Sequence, residues 1–236
     1  RCLALLVAEK LPLVILAIAA SAATVVVQTS AHATTPLDAL PLAHRIENAI
    51  VAYVRYIGKT VWPADLLMYY PHPRGTLAAL EVCAALGFLF VVTFAAWYLR
   101  RRAPYLIVGW LWYLGTLVPV IGIVQVGTQS IADRYTYIPM IGVLIMLAWG
   151  ARDLAASAGE RFGRRIVPLV SIVVVIALAS RTWTQIGVWR NSETLYRHTL
   201  AAMPDNPLAN MGLGLLMVER EQYSDAIPFL ETALHA

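Results

Sequence analysis

Charge is scarce in this sequence. Asp, Glu, Lys and Arg make up only 14% of its 236 residues, against ~25% in soluble domains. Too little polar surface remains to coat a water-soluble globule, so a soluble enzyme and a disordered linker are both excluded. Cysteine is nearly absent: Cys2 and Cys83 stand alone, with neither a CxxC partner nor a metal-ligand spacing. Both read as apolar fillers. The histidines, His32, His44, His72, His198 and His235, show no ligand spacing either. No metal and no redox cofactor is therefore expected. The net charge is +4 and the isoelectric point is near 9.2. The basic residues fall where membrane topology wants them, and nucleic acid is not an expected partner.

What the chain has in abundance is apolar length. Hydrophobic residues are 59% of it, and the mean hydropathy is +0.66. A membrane-crossing helix needs ~20 mostly apolar residues. Five stretches meet or approach that: 11–28, 77–99, 104–126, 135–151 and 166–183. The last is short, but Arg181 can snorkel and Trp183 and Trp189 can sit at an interface. The expected class is all-α, a polytopic helix bundle in a lipid bilayer. Arg100, Arg101 and Arg102 fill the link between the second and third spans, and Arg152, Arg161, Arg164 and Arg165 the link between the fourth and fifth. Links rich in Lys and Arg stay cytoplasmic. Residues 29–76, the hairpin near 127–135 and everything after the fifth span then share the outer side. Arg1 enters an apolar stretch without signal-peptide architecture, and Ala236 falls inside a helical pattern. Both ends read as cuts in a longer protein.

Three outer elements carry the chemistry. Residues 42–57 read as an amphipathic helix lying in the membrane interface, with Ile46, Ile50, Tyr53, Val54 and Ile57 on one face. His44, Asn48, Arg55 and Lys59 fall on another, with Pro41 at the start and Gly58 as a C-terminal cap. The proline- and aromatic-rich stretch after it, 61–73, either packs the bundle's outer face or forms one wall of a substrate cleft. The second element is Ala132-Asp133-Arg134-Tyr135-Thr136-Tyr137-Ile138-Pro139. Charge at a membrane boundary is expensive unless paired or wet, so Asp133 and Arg134 either anchor a tight hairpin or serve a site. Arg134 has the fork to bind a phosphate, and Tyr135 and Tyr137 could orient a sugar or lipid head group. A rhodopsin-like receptor triplet is excluded, because that motif ends a span on the cytoplasmic side whereas this one begins a span on the outer side.

The third element is the tail. Gly214, then Tyr223, Ala226, Leu230 and Ala233, follow tetratricopeptide spacing, in which small residues let two helices approach closely. One repeat of ~34 residues earlier, Trp189, Ser192, Tyr196 and Thr199 occupy the corresponding positions. Residues 188–236 thus read as half a repeat plus one complete repeat after a transmembrane bundle at 1–187. Glu221 stands where a turn glycine is commoner, and Thr199 where alanine is usual.

Taken with Glu9-Lys10-Leu11-Pro12, Arg45-Ile46-Glu47-Asn48-Ala49 and Trp62-Pro63…Tyr70-Pro71, these motifs resemble bacterial tetratricopeptide membrane proteins. Those in turn are similar to the animal transmembrane and tetratricopeptide-repeat O-mannosyltransferases (TMTC). The chain looks like the C-terminal part of their membrane half plus the first repeats. The resemblance implies a GT-C type glycosyltransferase that moves sugar from a polyprenyl-phosphate carrier to an outer-face protein acceptor. It implies a catalytic carboxylate in the first outer loop, which this chain does not hold. The catalytic base is therefore unassigned among Asp38, Glu47, Asp65 and Asp133. Arg134 is the first candidate beside the carrier phosphate and Arg55 the second.

Expected partners are the bilayer, a lipid-linked sugar and a peptide in the tail's groove. The expected location is a bacterial inner membrane with the tail periplasmic. The competing reading is a membrane-anchored tetratricopeptide scaffold without catalysis, which would need neither the amphipathic helix nor the charged hairpin. A transporter is disfavoured because the spans carry almost no ionisable residues in their interior.

Overall fold

A computed structural model describes residues 3–30, 40–73, 75–123, 128–157 and 159–235. The protein is all-α, an integral membrane helix bundle followed by packed helical hairpins. Among the described residues, three helices are long and apolar enough to cross a membrane, within Ala79–Arg101, Pro139–Ser157 and Ile166–Val188. They bury almost nothing inside the protein: in the Ile166–Val188 segment no residue is buried. A helix that is apolar all round and uncovered by protein is one whose outer solvent is lipid.

In chain order, α1 spans Leu3–Ser30 and contains the first expected span. Helix α2 spans Leu42–Val61. A short strand, β1 (Tyr70–Pro71), precedes α3 (Ala79–Tyr98) and α4 (Pro104–Leu117). Strand β2 (Gln129–Ile131) and a 3-10 turn at Asp133–Thr136 lead into α5 (Pro139–Ser157). Then come α6 (Glu160–Val188), α7 (Ser192–Ala202), α8 (Pro207–Glu219) and α9 (Tyr223–His235).

Three boundaries differ from the sequence reading, each for a physical reason. The third span was expected over 104–126, but α4 ends at Leu117. Pro119 lacks an N–H and its ring clashes with the carbonyl four residues back, so the helix cannot pass it. At 14 residues α4 is about 21 Å long, short of the ~30 Å hydrocarbon core. Residues 124–127, at the far end of that expected span, lie outside the described residues. The fourth span starts at Pro139 rather than 135, because Asp133–Thr136 closes a 3-10 turn first. Gly58 does not cap α2: the helix runs through it to Val61. Pro63 then pushes Trp62 out of helical geometry, to φ −136° and ψ 96°.

Helices α4 and α5 cross at a pair of glycines. A Cβ on Gly109 would come within 2.6 Å of Met146 Cγ and would strike the Gly142 carbonyl, and one on Gly142 would strike the Gly109 carbonyl. Backbones therefore meet directly, the small-residue packing that membrane helices use. Around this crossing, Trp110 donates to Thr93 Oγ1 on α3 at 2.9 Å, and Trp112 donates to the Ile138 carbonyl at 2.9 Å. At the arginine-rich end, the Tyr105 hydroxyl donates to Asp153 at 2.7 Å and ties α4 to α5.

The core lies at the opposite end, here termed the loop face, where α2 and the following loop cover the ends of α3, α4 and α5. Ala49, Ala52, Tyr56, Leu67, Tyr70, Trp110, Tyr113, Leu117, Ile131 and Met140 are all buried there. Helix α2 is fastened to α4 by exchanged hydrogen bonds: Tyr53 donates to the Leu114 carbonyl at 2.9 Å, and Tyr113 donates to the Tyr53 carbonyl.

Candidate functional site

The site is built on α2, on a face that includes Asn48 and Lys59 of the polar side read from the sequence. The isoleucine stripe read from the sequence stays half-exposed or open, with Ile46 at 45% exposure. The buried residues of α2 are Arg45, Asn48, Ala49, Val51, Ala52 and Tyr56. Positions 45, 48, 52, 56 and 59 are three or four apart, so their side chains line one face of the helix. That face is polar. Polar groups turned inward must find partners: Arg45 Nε donates to the Leu40 carbonyl at 2.9 Å, and Asn48, Tyr56 and Lys59 reach the hairpin and the loop. Asn48 Nδ2 donates to the Ser130 carbonyl at 2.9 Å. The Tyr56 hydroxyl accepts from the Ala132 N–H at 3.0 Å. Burial pushes the Tyr56 pKa up to about 12, so it acts only as a neutral hydrogen-bonding group.

Lys59, Tyr70 and Asp133 form the centre. The Tyr70 hydroxyl accepts from Lys59 Nζ at 2.8 Å and from the Leu67 N–H at 2.8 Å, and donates its single proton to Asp133 Oδ2 at 2.8 Å. Lys59 also donates to the Asp65 carbonyl at 3.1 Å and lies over the Tyr70 ring, 4.5 Å from its centroid. To offer that carbonyl, Asp65 adopts φ +50°, a left-handed conformation that aspartate tolerates better than most residues. Burial pushes the Asp133 carboxyl above its ordinary range, opposed by the Tyr70 hydrogen bond and the Lys59 charge. Burial likewise lowers the Lys59 ammonium, and Asp133 opposes that shift. The network joins α2, the 62–71 loop and the hairpin, and β1 pairs with β2 in antiparallel fashion beside it.

The sequence candidates therefore separate. Asp133 is turned inward and locked. Arg134, its neighbour, is exposed, with Nη2 3.4 Å from Gln129 Oε1 and the guanidinium over the Tyr135 ring at 5.2 Å. Tyr135 accepts from Gln129 Nε2 at 2.9 Å, and Tyr137 is 80% exposed. Arg55 makes an ion pair with Glu81 on α3 at 2.8 Å. Lys59, Tyr70, Tyr56 and Asn48 were not singled out as site residues from sequence. Their signal was available as polar residues recurring at helical spacing on α2, with an aromatic at the loop position that meets them.

Between the loop face and the tail lies a cavity of about 1220 Å³. Arg55, Tyr69, Tyr70, His72 and Ser130 line one wall, and Asp205, Glu231 and Thr232 the other. The tail is tied in at its base, where buried Asn206 donates from Nδ2 to the Tyr69 carbonyl at 3.0 Å. Asn206 also caps α8, accepting from the Ala209 N–H at 3.1 Å. From the end of the last span, Arg181 reaches the Pro63 carbonyl at 3.3 Å and Gln185 the Leu66 carbonyl at 3.2 Å, which pins the loop from a second side.

In the tail, α7 packs on α8 and α8 on α9. A Cβ on Gly214 would meet Leu230 at 2.7 Å, and Ala226 is buried at 1% exposure. Tyr223 is exposed and Ala233 half-buried. Thr199 is fully buried, its hydroxyl satisfied by the Leu195 carbonyl at 2.9 Å. Glu221 sits in the turn at φ +62°. Among the described residues, His, Cys, Asp and Glu form no group of three or more that could hold a metal.

Two animal proteins show what kind of chain this is similar to. It is 30% identical over 104 residues to protein O-mannosyl-transferase Tmtc2 of Drosophila melanogaster, covering 44% of this chain and 11% of that protein. It is 28% identical over 105 residues to protein O-mannosyl-transferase TMTC2 of Homo sapiens, covering 44% of this chain and 12% of that protein. The chain resembles the TMTC O-mannosyl-transferases. The matched stretch spans about a tenth of the length of these relatives. No family model and no solved structure matches the chain.

Proposed function

We propose that this chain is part of a GT-C type glycosyltransferase that takes sugar from a polyprenyl-phosphate carrier and delivers it to a hydroxyl of a protein acceptor on the loop face. The observation that carries the reading is the division of labour within one dipeptide. Asp133 is locked beneath the hairpin by Tyr70 and Lys59, while Arg134 stands exposed at the start of a membrane span. A tether needs no half-buried Lys59–Tyr70–Asp133 network to hold one arginine at the membrane boundary. The Arg134 fork matches phosphate oxygens bidentately.

In the reaction, the acceptor oxygen forms a bond to the anomeric carbon. The bond from that carbon to the carrier phosphate breaks, and the phosphate leaves with the electron pair. Arg134 holds the charge that develops on the leaving phosphate, and the acceptor proton passes to a carboxylate. The resemblance expects that carboxylate in the first outer loop of the whole protein. Helices α7 to α9 are the first tetratricopeptide units and present or recognise the acceptor. The protein sits in a bacterial inner membrane with the loop face and tail periplasmic.

The second reading, a membrane-anchored tetratricopeptide scaffold, draws its support from the Gly214–Leu230 and Ala226 packing of the tail. Transfer of radiolabelled sugar from polyprenyl-phosphate donors, in membranes holding the full-length protein, separates the two. Transfer that collapses in Arg134→Ala supports the enzyme. No transfer from any donor, with peptide capture by the tail intact, supports the scaffold.

A further inference from the structure

The cavity between the loop face and the tail has chemistry of its own. At about 1220 Å³ it exceeds the ~300–1,000 Å³ of a typical small-ligand pocket, which favours a segment of a polymer over a single sugar or head group. Most polar groups on its walls are already used. The Tyr69 hydroxyl is bonded to Thr128 Oγ1 at 2.6 Å, and the Tyr70 hydroxyl belongs to the Lys59–Asp133 network. Ser130 Oγ donates to the Tyr70 carbonyl at 3.3 Å, and Thr232 Oγ1 to the Pro228 carbonyl at 2.8 Å. Tyr70 is only 8% exposed and lies under Lys59, so it offers no open ring on which a sugar could stack.

What remains is charge. Arg55 is neutralised by Glu81. Burial lowers the His72 pKa from its ordinary 6.5, leaving the imidazole neutral at pH 7. Asp205 and Glu231 are exposed carboxylates on the tail wall and belong to none of the ion pairs among the described residues. Pro228, Glu231, Thr232 and His235 are spaced i, i+3, i+4 and i+7, so one face of α9 forms this wall. Facing it across the cavity is the proline-bounded stretch Pro71-His72-Pro73.

The geometry points to a polypeptide site: the cavity takes an extended segment carrying lysine or arginine, with its cation against Asp205 and Glu231. This rests on the proposed function only in calling the segment an acceptor. Binding itself is independent of sugar transfer.

The test uses the full-length protein in nanodiscs and two fluorescent Ser/Thr peptides, one carrying lysines and the other glutamates at the same places. Fluorescence anisotropy is expected to show the lysine peptide bound and the glutamate peptide free. The double variant Asp205→Asn, Glu231→Gln should weaken the lysine peptide on the order of threefold to tenfold, as for two partly exposed ion pairs. Both side chains are exposed, so its melting temperature should match the wild type. Equal binding of the two peptides, binding of neither, or undiminished lysine-peptide binding by the double variant would overturn the site. Capture of a neutral oligosaccharide in place of both peptides would overturn it too. No donor sugar is present, so failed transfer leaves this result standing, and failed peptide binding leaves the transfer reading without this acceptor site.

Discussion

Lys59→Met removes the ammonium from the centre of the site while keeping an apolar stem of similar length. Two hydrogen bonds are lost, to Tyr70 at 2.8 Å and to the Asp65 carbonyl at 3.1 Å. Hydrogen bonds to charged groups contribute ~1.5–3 kcal/mol each. Lys59 is only half-buried, and its own desolvation opposes the gain. The net loss is therefore about 2 kcal/mol for the pair together. At ~2–4 °C per kcal/mol for a chain of this size, melting in detergent should fall by about 4–8 °C. Intrinsic fluorescence is a suitable readout, since Trp62 borders the loop.

The pH dependence adds a second signature. Burial already holds the Asp133 carboxyl above its ordinary 3.8 in the folded protein. A carboxyl raised on folding contributes stability that is present below 3.8 and lost as pH rises through the folded value. Without Lys59 the rise is larger, so the gap between variant and wild type should widen as pH rises above the ordinary carboxyl value of 3.8. Adding Asp133→Asn should remove that pH dependence and recover part of the loss. Melting within ~1 °C of wild type at neutral pH, with no pH dependence, would refute the ionic network as the hairpin's anchor.

Three further outcomes follow from single contacts. Gly142→Ala must part α4 from α5, because its Cβ meets the Gly109 carbonyl and lies 3.0 Å from Trp112 Cδ1. A loss of about 1–3 kcal/mol should appear as a lower melting temperature in detergent, and an unchanged one would contradict the close crossing. Glu221→Gly should stabilise the tail by about 0.5–1 kcal/mol, since the turn holds φ +62°; slower exchange of the α8 and α9 amides would show it. Asn206→Ala loses both the α8 cap and the bond to the Tyr69 carbonyl, a cost of about 1–3 kcal/mol. Limited proteolysis should then cut near Pro204–Pro207, and resistance equal to wild type would contradict the docking.

Much of the helical architecture was legible because apolar length is a one-dimensional signal. The expected 77–99 and 166–183 spans reappear in α3 and α6. Glu221 was singled out for standing where a glycine is commoner, and it holds a positive φ. What sequence missed depends on what a helix packs against. On α2 the spacing separated an apolar stripe from a polar one, but it could not say what either packs against: Tyr53 and Ile57 rest on the core, and the polar side meets protein as well. Asn48, Tyr56 and Lys59 went inward because the hairpin and the loop supply partners that no spacing within α2 records. Pro119, by contrast, was in plain view, and composition over 104–126 obscured its power to end α4.

The most direct measurement of the central claim is binding of polyprenyl phosphate, compared with the uncharged polyprenol, by the full-length protein and its Arg134→Ala variant. The account predicts that the wild type prefers the phosphate. The variant should lose that preference by on the order of tenfold, about 1.4 kcal/mol, which is the ~1.5–3 kcal/mol of a charged hydrogen-bonded contact reduced by solvent screening at an exposed side chain, and should still bind the polyprenol. Equal preference for the phosphate in both proteins would contradict the account and remove Arg134 from the site.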